Sequence, residues 1–280
     1  MLVPIDDARL GQALDLLERG FPRRARRDWE DGIERVRAFN PSGADPIGHL
    51  LVKKNRPAGV LLTLRGQSVP PAGVPFKVTN LSSWYVEPEH RMLAPLMLRD
   101  VVREPGTVFT DFTPSDRVIP MLPAFGFKPL NRGISAIPLP VAALKATPHA
   151  RVYDLANLPK NAPEPAVHAL LERHAQQGAI AGVLNVADAW HPLLFLPRHL
   201  RCLPTAQLIY CQSNATMIEH LAVVARFLLK KGKLVLLVDI PPQGDVPGTY
   251  FLNRGMKFAK GGCFEGRTDY AGSELLFFKM

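Results

Sequence analysis

The stretch from 76 to 127 places the strongest limits on how this chain can fold. It begins with FKVTNLSSWYV, whose apolar and β-branched residues predict a strand over 76–86. The turn EPEH follows at 87–90, and apolar residues at helical spacing then predict a helix to about residue 102. A second strand, VFTDF, is predicted at 108–112. A strand that runs through a tight turn into a helix makes a cradle for phosphate, because the first helical turn has unpaired N–H groups.

Two short segments of this stretch fit the pattern of a known superfamily. WYVEPEHR at 84–91 matches a core strand followed by a V-x-P-x-x-R turn, and AFGF at 124–127 matches the end of a Gly-Phe signature. In both respects the chain resembles the GNAT superfamily of acyl-CoA acyltransferases. The resemblance implies an α/β fold with a mixed sheet, and acetyl-CoA or another acyl-CoA as a substrate. The residues that it implies for binding acyl-CoA are Trp84, Val86, Arg91, Met92, Leu93, Ala94 and Leu96.

The chain departs from the family pattern in the phosphate loop and at the general acid. The family has small residues where Ala94 and Leu96 stand, and Pro95 has no N–H to offer to a phosphate. The family's tyrosine acid would fall on Leu122. An open gap between the strands at 80–86 and 108–112, with a clear path to Ala94, would favour binding of acyl-CoA. A gap filled by Leu96, Leu122 or Phe125 would favour a protein that has lost catalysis.

Acyl transfer from a thioester needs only a few protein groups. A base takes the proton of the acceptor, a donor polarises the thioester carbonyl, and an acid protonates the leaving thiolate. In GNAT folds a strand N–H at the splayed centre polarises the carbonyl, which places it here near 84–86. Asp111 and Glu87 are the candidate bases, and Ser115 and Tyr85 are the candidate acids. Each of these side chains has a structural alternative, as a helix cap, a backbone partner or a groove wall.

The segments before the core stretch follow the order of the GNAT fold. Helices are predicted at 5–20, where Asp6 is the cap and Gly20 the stop, and at 25–39. A hairpin follows, with strands at 48–54 and 58–65. The first two helices lie near the acceptor site in the family.

The second half of the chain is predicted to repeat this layout. A closing strand is expected within 131–140, and a proline-rich junction follows it. Strand, helix, strand and a glycine signature then recur over 206–258, and ELLFF at 274–278 is expected to form the last strand. We therefore predict two tandem GNAT-like domains. Residues 1–142 carry the remnant of the phosphate loop, and residues 143–280 form a degenerate copy.

Composition limits the partners and the compartment. The net charge of +9, part of it in Arg23, Arg24, Arg26 and Arg27, favours an anionic partner such as CoA phosphates, an acidic sugar, a nucleic acid or a membrane surface. No apolar run reaches the ~18 residues of a membrane span. A signal-peptide pattern and metal-ligand spacing are also lacking, so no metal is expected. The unclustered cysteines, Cys202, Cys211 and Cys263, predict a reducing cytoplasm.

Three functions are compatible with these observations. The first is an acyltransferase that moves an acyl group from acyl-CoA to an amine or hydroxyl of a small molecule or a saccharide. A fainter resemblance to tandem acyltransferase-like proteins of bacterial exopolysaccharide synthesis favours the saccharide. The second is a Fem-type transferase that uses aminoacyl-tRNA, but the chain lacks the basic and aromatic runs of an RNA groove, so a nucleic-acid partner is not expected. The third is an inactive GNAT-like protein with a binding or regulatory role.

Overall fold

The structure, a computed structural model, describes residues 1–40, 43, 45–70, 73–146, 149–159, 165–240, 246–262 and 264–278, so Cys263 lies outside the described residues. The α-helices are α1 Asp7–Gly20, α2 Arg26–Phe39, α3 Ala94–Val101, α4 Leu139–Ala142, α5 Pro165–Gln176, α6 Asn214–Glu219, α7 Leu221–Lys230 and α8 Glu274–Phe277. The strands are β1 Leu2–Pro4, β2 Gly48–Lys53, β3 Arg56–Ser68, β4 Phe76–Val86, β5 Thr107–Asp111, β6 Lys128–Pro129, β7 Ile134–Pro138, β8 Ala150–Asp154, β9 Ile180–Val186, β10 Ala189–Leu200, β11 Leu203–Cys211, β12 Val235–Val238, β13 Tyr250–Leu252, β14 Phe258–Lys260 and β15 Thr268–Asp269.

Contacts divide the chain into two compact units. The first contains Met1–Leu130, Lys257–Gly262 and Gly272–Met280, and the second contains Asn131–Met256 and Cys263–Ala271. Each unit has one mixed sheet, which confirms the predicted α/β class with mixed sheets. The division does not follow the predicted boundary at residue 142, because β7 pairs with β12 and β13 of the second sheet, while β14 pairs with β5 and β6 of the first.

The sheet of the first unit has the order β1-β2-β3-β4-β5-β14-β6. Its neighbours are antiparallel except β4 and β5, which run parallel. The predicted helices and the hairpin before β4 are confirmed. The Asp6 carboxylate caps α1 by accepting the Arg9 N–H, and α1 ends at Gly20. Lys54 and Asn55 form the tight turn of the hairpin, both with a positive φ.

The sheet of the second unit has the order β13-β7-β12-β11-β10-β9-β8, and β11 and β12 are its parallel pair. Each sheet therefore has one parallel pair near its centre, between antiparallel neighbours. The core of this unit includes Phe195 and Leu208 of the sheet and Val224 and Leu228 of α7, all buried. A duplicated origin of the two halves stays a prediction.

The C-terminal segment differs from its prediction. The strand predicted at 274–278 is wrong. The short helix α8 begins there instead, directly after the extended residue Ser273. All four side chains of α8 are buried. A short apolar run with no alternation does not distinguish a buried strand from a buried helix, so tertiary packing decided the outcome. The Phe278 ring lies 5.6 Å from the Trp29 ring, which fixes this segment against α2.

Candidate active site

The parallel strands β4 and β5 separate before β4 ends. Their pairing runs from Lys77 with Thr107 to Leu81 with Asp111. Strand β4 continues to Val86, where β3 is still its partner on the other edge. No described strand pairs with residues 82–86 on the β5 side, so a gap opens there at the centre of the sheet.

A β-bulge at Ser83 lies at the mouth of this gap. In the pairing of β3 with β4, Leu62 faces Ser82 and Leu61 faces Trp84, so Ser83 has no partner residue. Ser83 has a φ of 45°, in the left-handed region that a residue with a side chain rarely adopts. Bulges of this kind re-aim backbone groups and are common beside functional sites. The bulge lies one residue before the stretch 84–86 in which the sequence predicted the polarising N–H.

A cleft of about 710 Å³ occupies the gap. Its residues come from the end of α1 and the loop after it, the first half of α2, strands β3, β4 and β5, helix α3 and the segment after β5. They are Gly20, Phe21, Pro22, Arg23, Arg24, Asp28, Trp29, Leu61, Leu81, Ser82, Ser83, Trp84, Leu98, Asp111, Thr113, Pro114, Ser115, Val118 and Leu122. Leu122 is fully buried in the wall, and neither Leu96 nor Phe125 lines the cleft. The gap is therefore open, while Ala94, to which the prediction required a clear path, is not among the residues that line it.

Asp111 ends β5 and lines the cleft. Its side chain is largely buried, and its Oδ1 accepts the backbone N–H of Thr113 at 3.3 Å. Burial disfavours the charged carboxylate and raises the pKa of Asp111 to about 7, although the Thr113 hydrogen bond acts in the opposite direction. A carboxyl group with a pKa near neutral is well suited to accept a proton at physiological pH. This placement fits the role of base predicted for Asp111.

Glu274 is the site residue to which the sequence assigned no role. It opens α8 and is 1% exposed, and its Oε1 accepts the Thr113 hydroxyl at 2.7 Å. Burial raises the pKa of Glu274 to about 8, and the charge of Asp111 acts in the same direction. One signal in the sequence could have indicated this role. A single carboxylate stands at the start of an apolar run, and an acid that is buried there usually has a specific partner.

The remaining candidates for proton transfer separate into two groups. Ser115 lines the cleft, as an acid near the thioester should. Tyr85 does not line it, and its hydroxyl donates to Oε2 of Glu87 at 2.8 Å. Burial raises the pKa of Tyr85, and its hydrogen bond to Glu87 adds to this effect. Glu87 also forms an ion pair with Arg19 at 2.8 Å, so these partners occupy its carboxylate.

Trp84 is the member of the predicted acyl-CoA set that lines the cleft. The others run from the end of β4 to the first turn of α3. Val86 is buried, Leu93 and Ala94 are half-buried, and Arg91, Met92 and Leu96 are exposed. A 3-10 helix, Pro88–Leu93, takes up most of the predicted loop, and α3 starts directly after it. The Arg91 side chain is exposed, and its guanidinium makes no hydrogen bond or ion pair with the described residues, so it is accessible to an anion.

The wall of the cleft opposite the sheet comes from the start of α2 and the loop before it. The Arg24 guanidinium lies 4.4 Å from the centre of the Trp29 ring, in a cation–π contact. Burial lowers the pKa of Arg24, while the nearby Asp28 opposes the shift. Trp29 also contacts Phe21, with ring centres 5.4 Å apart. The basic loop predicted from sequence therefore contributes Arg23 and Arg24 to the cleft.

The corresponding gap in the second unit is bridged by a short strand. Strand β11 pairs with β12 over Thr205–Gln207, and Tyr210 and Cys211 then pair with β15. The backbone edge that β4 leaves unpaired is thus occupied in β11. Burial raises the pKa of the Cys211 thiol to about 12, so this cysteine is not a nucleophile at neutral pH.

No group of three or more His, Cys, Asp or Glu side chains among the described residues is arranged to hold a metal ion. Every helix in the described parts of the chain is too short or too polar to cross a bilayer.

Comparison with known proteins identifies the fold. A GCN5-related N-acetyltransferase from Anabaena variabilis superposes with a TM-score of 0.61 at 13% identity, covering 92% of this chain and 72% of its own. A GCN5-related N-acetyltransferase from Kribbella flavida gives a TM-score of 0.54 at 12% identity, with coverage of 92% and 70%. The glucosamine N-acetyltransferase region of a fungal multi-domain GH3 β-N-acetylglucosaminidase gives 0.50 at 12% identity, covering 92% of this chain and 38% of that one.

The chain therefore has the GNAT fold, as its sequence predicted. No protein-family model and no curated protein matches the sequence.

Proposed function

We propose that this chain is an acyltransferase that moves an acyl group from acyl-CoA to an amine or hydroxyl acceptor. The observation that carries the proposal is the open gap after Leu81, where the bulge at Ser83 faces a cleft that also contains Asp111. A backbone N–H at the bulge would polarise the thioester carbonyl. Asp111 would take the proton of the acceptor as the acceptor attacks the carbonyl carbon. We propose Ser115 as the group that protonates the leaving CoA thiolate.

The acyl-CoA would enter from the side of α3. The Arg91 guanidinium is exposed and makes no hydrogen bond or ion pair with the described residues, so it can pair with the CoA pyrophosphate. The backbone adds little to this contact. Pro88 and Pro95 have no N–H, and the N–H groups of His90 and Ala94 already donate to the carbonyls of Glu87 and Arg91. The positive net charge of the chain favours the approach of this anionic substrate.

Calorimetric titration with acetyl-CoA and then with longer acyl-CoAs tests this proposal. We expect a Kd in the micromolar range, which corresponds to about −8 kcal/mol. Arg91→Ala should weaken binding about tenfold, or about 1.4 kcal/mol. Arg103→Ala, an exposed arginine beyond the end of α3, is the matched control and should bind like the wild type. A folded protein that binds no acyl-CoA would refute the proposal, and an aminoacyl-tRNA donor would then be tested.

We propose a saccharide-linked acceptor, located in the cytoplasm. The fold shared with a glucosamine N-acetyltransferase region supports this choice, and Arg23 and Arg24 at the cleft can bind acidic or hydroxyl groups of a sugar. Release of CoA would be followed with a thiol reagent in the presence of amino sugars, neutral sugars and amino acids in turn. Faster release with amino acids than with any sugar would refute the saccharide assignment. Binding of acyl-CoA with no turnover on any acceptor would favour the inactive binding protein.

A further inference from the structure

Two buried carboxyl groups of the first unit are connected by one threonine. The backbone N–H of Thr113 donates to Oδ1 of Asp111 at 3.3 Å, and its hydroxyl donates to Oε1 of Glu274 at 2.7 Å. Thr113 is exposed on the surface of the cleft, while Glu274 is fully buried. Asp111 is the carboxyl group that substrate can touch, and Glu274 acts on it from within the protein.

The position of Glu274 is fixed by the two central strands. Its backbone N–H donates to Oδ1 of Asn80 at 3.3 Å, and Nδ2 of Asn80 donates to the hydroxyl oxygen of Thr110 at 3.1 Å. These residues belong to β4 and β5, the strands that separate at the cleft. The start of α8 is therefore held in register with the end of β5, where Asp111 lies.

The surroundings of Glu274 favour its neutral form. Its Oε2 is buried and has no hydrogen-bond partner among the described residues, and an unpaired carboxylate oxygen in a dry interior is costly. The charged groups that face it are Asp111, which opposes its ionisation, and Lys257, which favours it. The Thr113 hydrogen bond also favours ionisation, yet burial dominates and keeps the proton on Glu274 at neutral pH.

We propose that Glu274 is a positioning residue for Asp111, and that the pair carries one negative charge, located on Asp111, at the moment when the acceptor attacks. The inference rests on the proposed function of Asp111 as the base. The acceptor nitrogen or oxygen bonds to the carbonyl carbon, and its proton moves to Asp111. The C–S bond then breaks, and this proton passes through Ser115 or water to the CoA thiolate. A second charge on Glu274 would oppose the negative charge that develops on the thioester oxygen and on sulfur.

The pH dependence of kcat/KM tests this role. In the wild type we expect a rise through pH about 7 as Asp111 ionises and a fall above about 8 as Glu274 ionises. Glu274→Gln keeps an acceptor for the Thr113 hydroxyl but cannot ionise, so it should keep the rise and lose the fall. Thr113→Val removes the hydrogen bond that favours the ionised glutamate, so its fall should move to higher pH. A purely structural Glu274 would leave the fall in place, and that result would overturn the proposal.

A second measurement does not depend on activity. The urea midpoints of Asp111→Asn, Glu274→Gln and the double variant are compared at pH 5 and pH 9. We expect additive shifts at pH 5, where Glu274 is neutral, and non-additive shifts at pH 9, where the two charges repel each other. Additive shifts at both pH values would overturn the pairing even if acyl-CoA binds. If acyl-CoA does not bind but the shifts are non-additive at pH 9, the proposed function fails while the carboxyl pair stands.

Discussion

Replacement of Asp111 by Asn should stabilise the protein, and the gain should depend on pH. The ordinary pKa of this side chain is 3.8, and burial raises it to about 7 in the folded protein. The folded state therefore holds its proton more tightly than the unfolded state does. The contribution of protonated Asp111 to the free energy of unfolding is fully present below pH 3.8 and is lost as the pH rises through about 7.

The magnitude follows from the difference between the two pKa values. Each pKa unit is worth about 1.36 kcal/mol, so ionised Asp111 costs about 4 kcal/mol once the pH exceeds its folded pKa. At pH 5 the folded side chain is still protonated, and the cost is only about 1.5 kcal/mol. The neutral Asn carries neither cost and still offers an oxygen to the Thr113 N–H. Asp111→Asn should thus gain about 4 kcal/mol at pH 7.5 and about 1.5 kcal/mol at pH 5.

Urea unfolding followed by tryptophan fluorescence measures this gain. Two of the three tryptophans, Trp29 and Trp84, lie in the first unit and report on it. Asp116→Asn, an exposed aspartate a few residues away, is the control and should change the free energy of unfolding by less than about 0.5 kcal/mol at either pH. A variant of Asp111 that is no more stable than the wild type at pH 7.5 would refute the reasoning. If the same variant also loses acyl transfer, the charge of Asp111 is needed for the reaction even though it lowers the stability of the protein.

Three further perturbations probe the framework of the site. Gly32→Ala should destabilise by about 1–2 kcal/mol in thermal unfolding, because its Cβ would lie 2.3 Å from the Phe278 ring. Gly11→Ala, in a helix with nothing within 4 Å, should instead stabilise by up to about 1 kcal/mol, and equal effects would contradict this account. Ser83→Val should cost about 1–2 kcal/mol because a β-branched residue rarely adopts φ of 45°, whereas a neutral result would argue against the bulge. A chain ending at residue 256 lacks β14 and α8, so the tryptophan fluorescence of its first unit should show no cooperative unfolding. A normal unfolding transition would contradict the assignment of these two elements to the first unit.

Much of the first unit could be predicted from the sequence because its signals are local. The cap at Asp6, the helical spacing of α1 and α2, and the core strand with its turn depend on residues only a few positions apart. The placement of Asp111 at the end of β5, beside the gap, followed from the same local pattern and the family resemblance. The predicted phosphate loop was less accurate, because nothing local indicated a 3-10 helix at Pro88–Leu93.

Long-range contacts decided the rest. Ser83 forms a bulge because it has no partner residue in the pairing of β3 with β4, and this register depends on both strands. Glu274 joins the site through Thr113, a hydrogen bond between residues 161 positions apart. Strand β14 completes the first sheet from a distant part of the chain. The sequence alone predicted most elements of the first unit and the first candidate carboxylate, Asp111. Only the tertiary structure brought the second carboxylate to it, because sequence periodicity carries no information about which distant segments pack together.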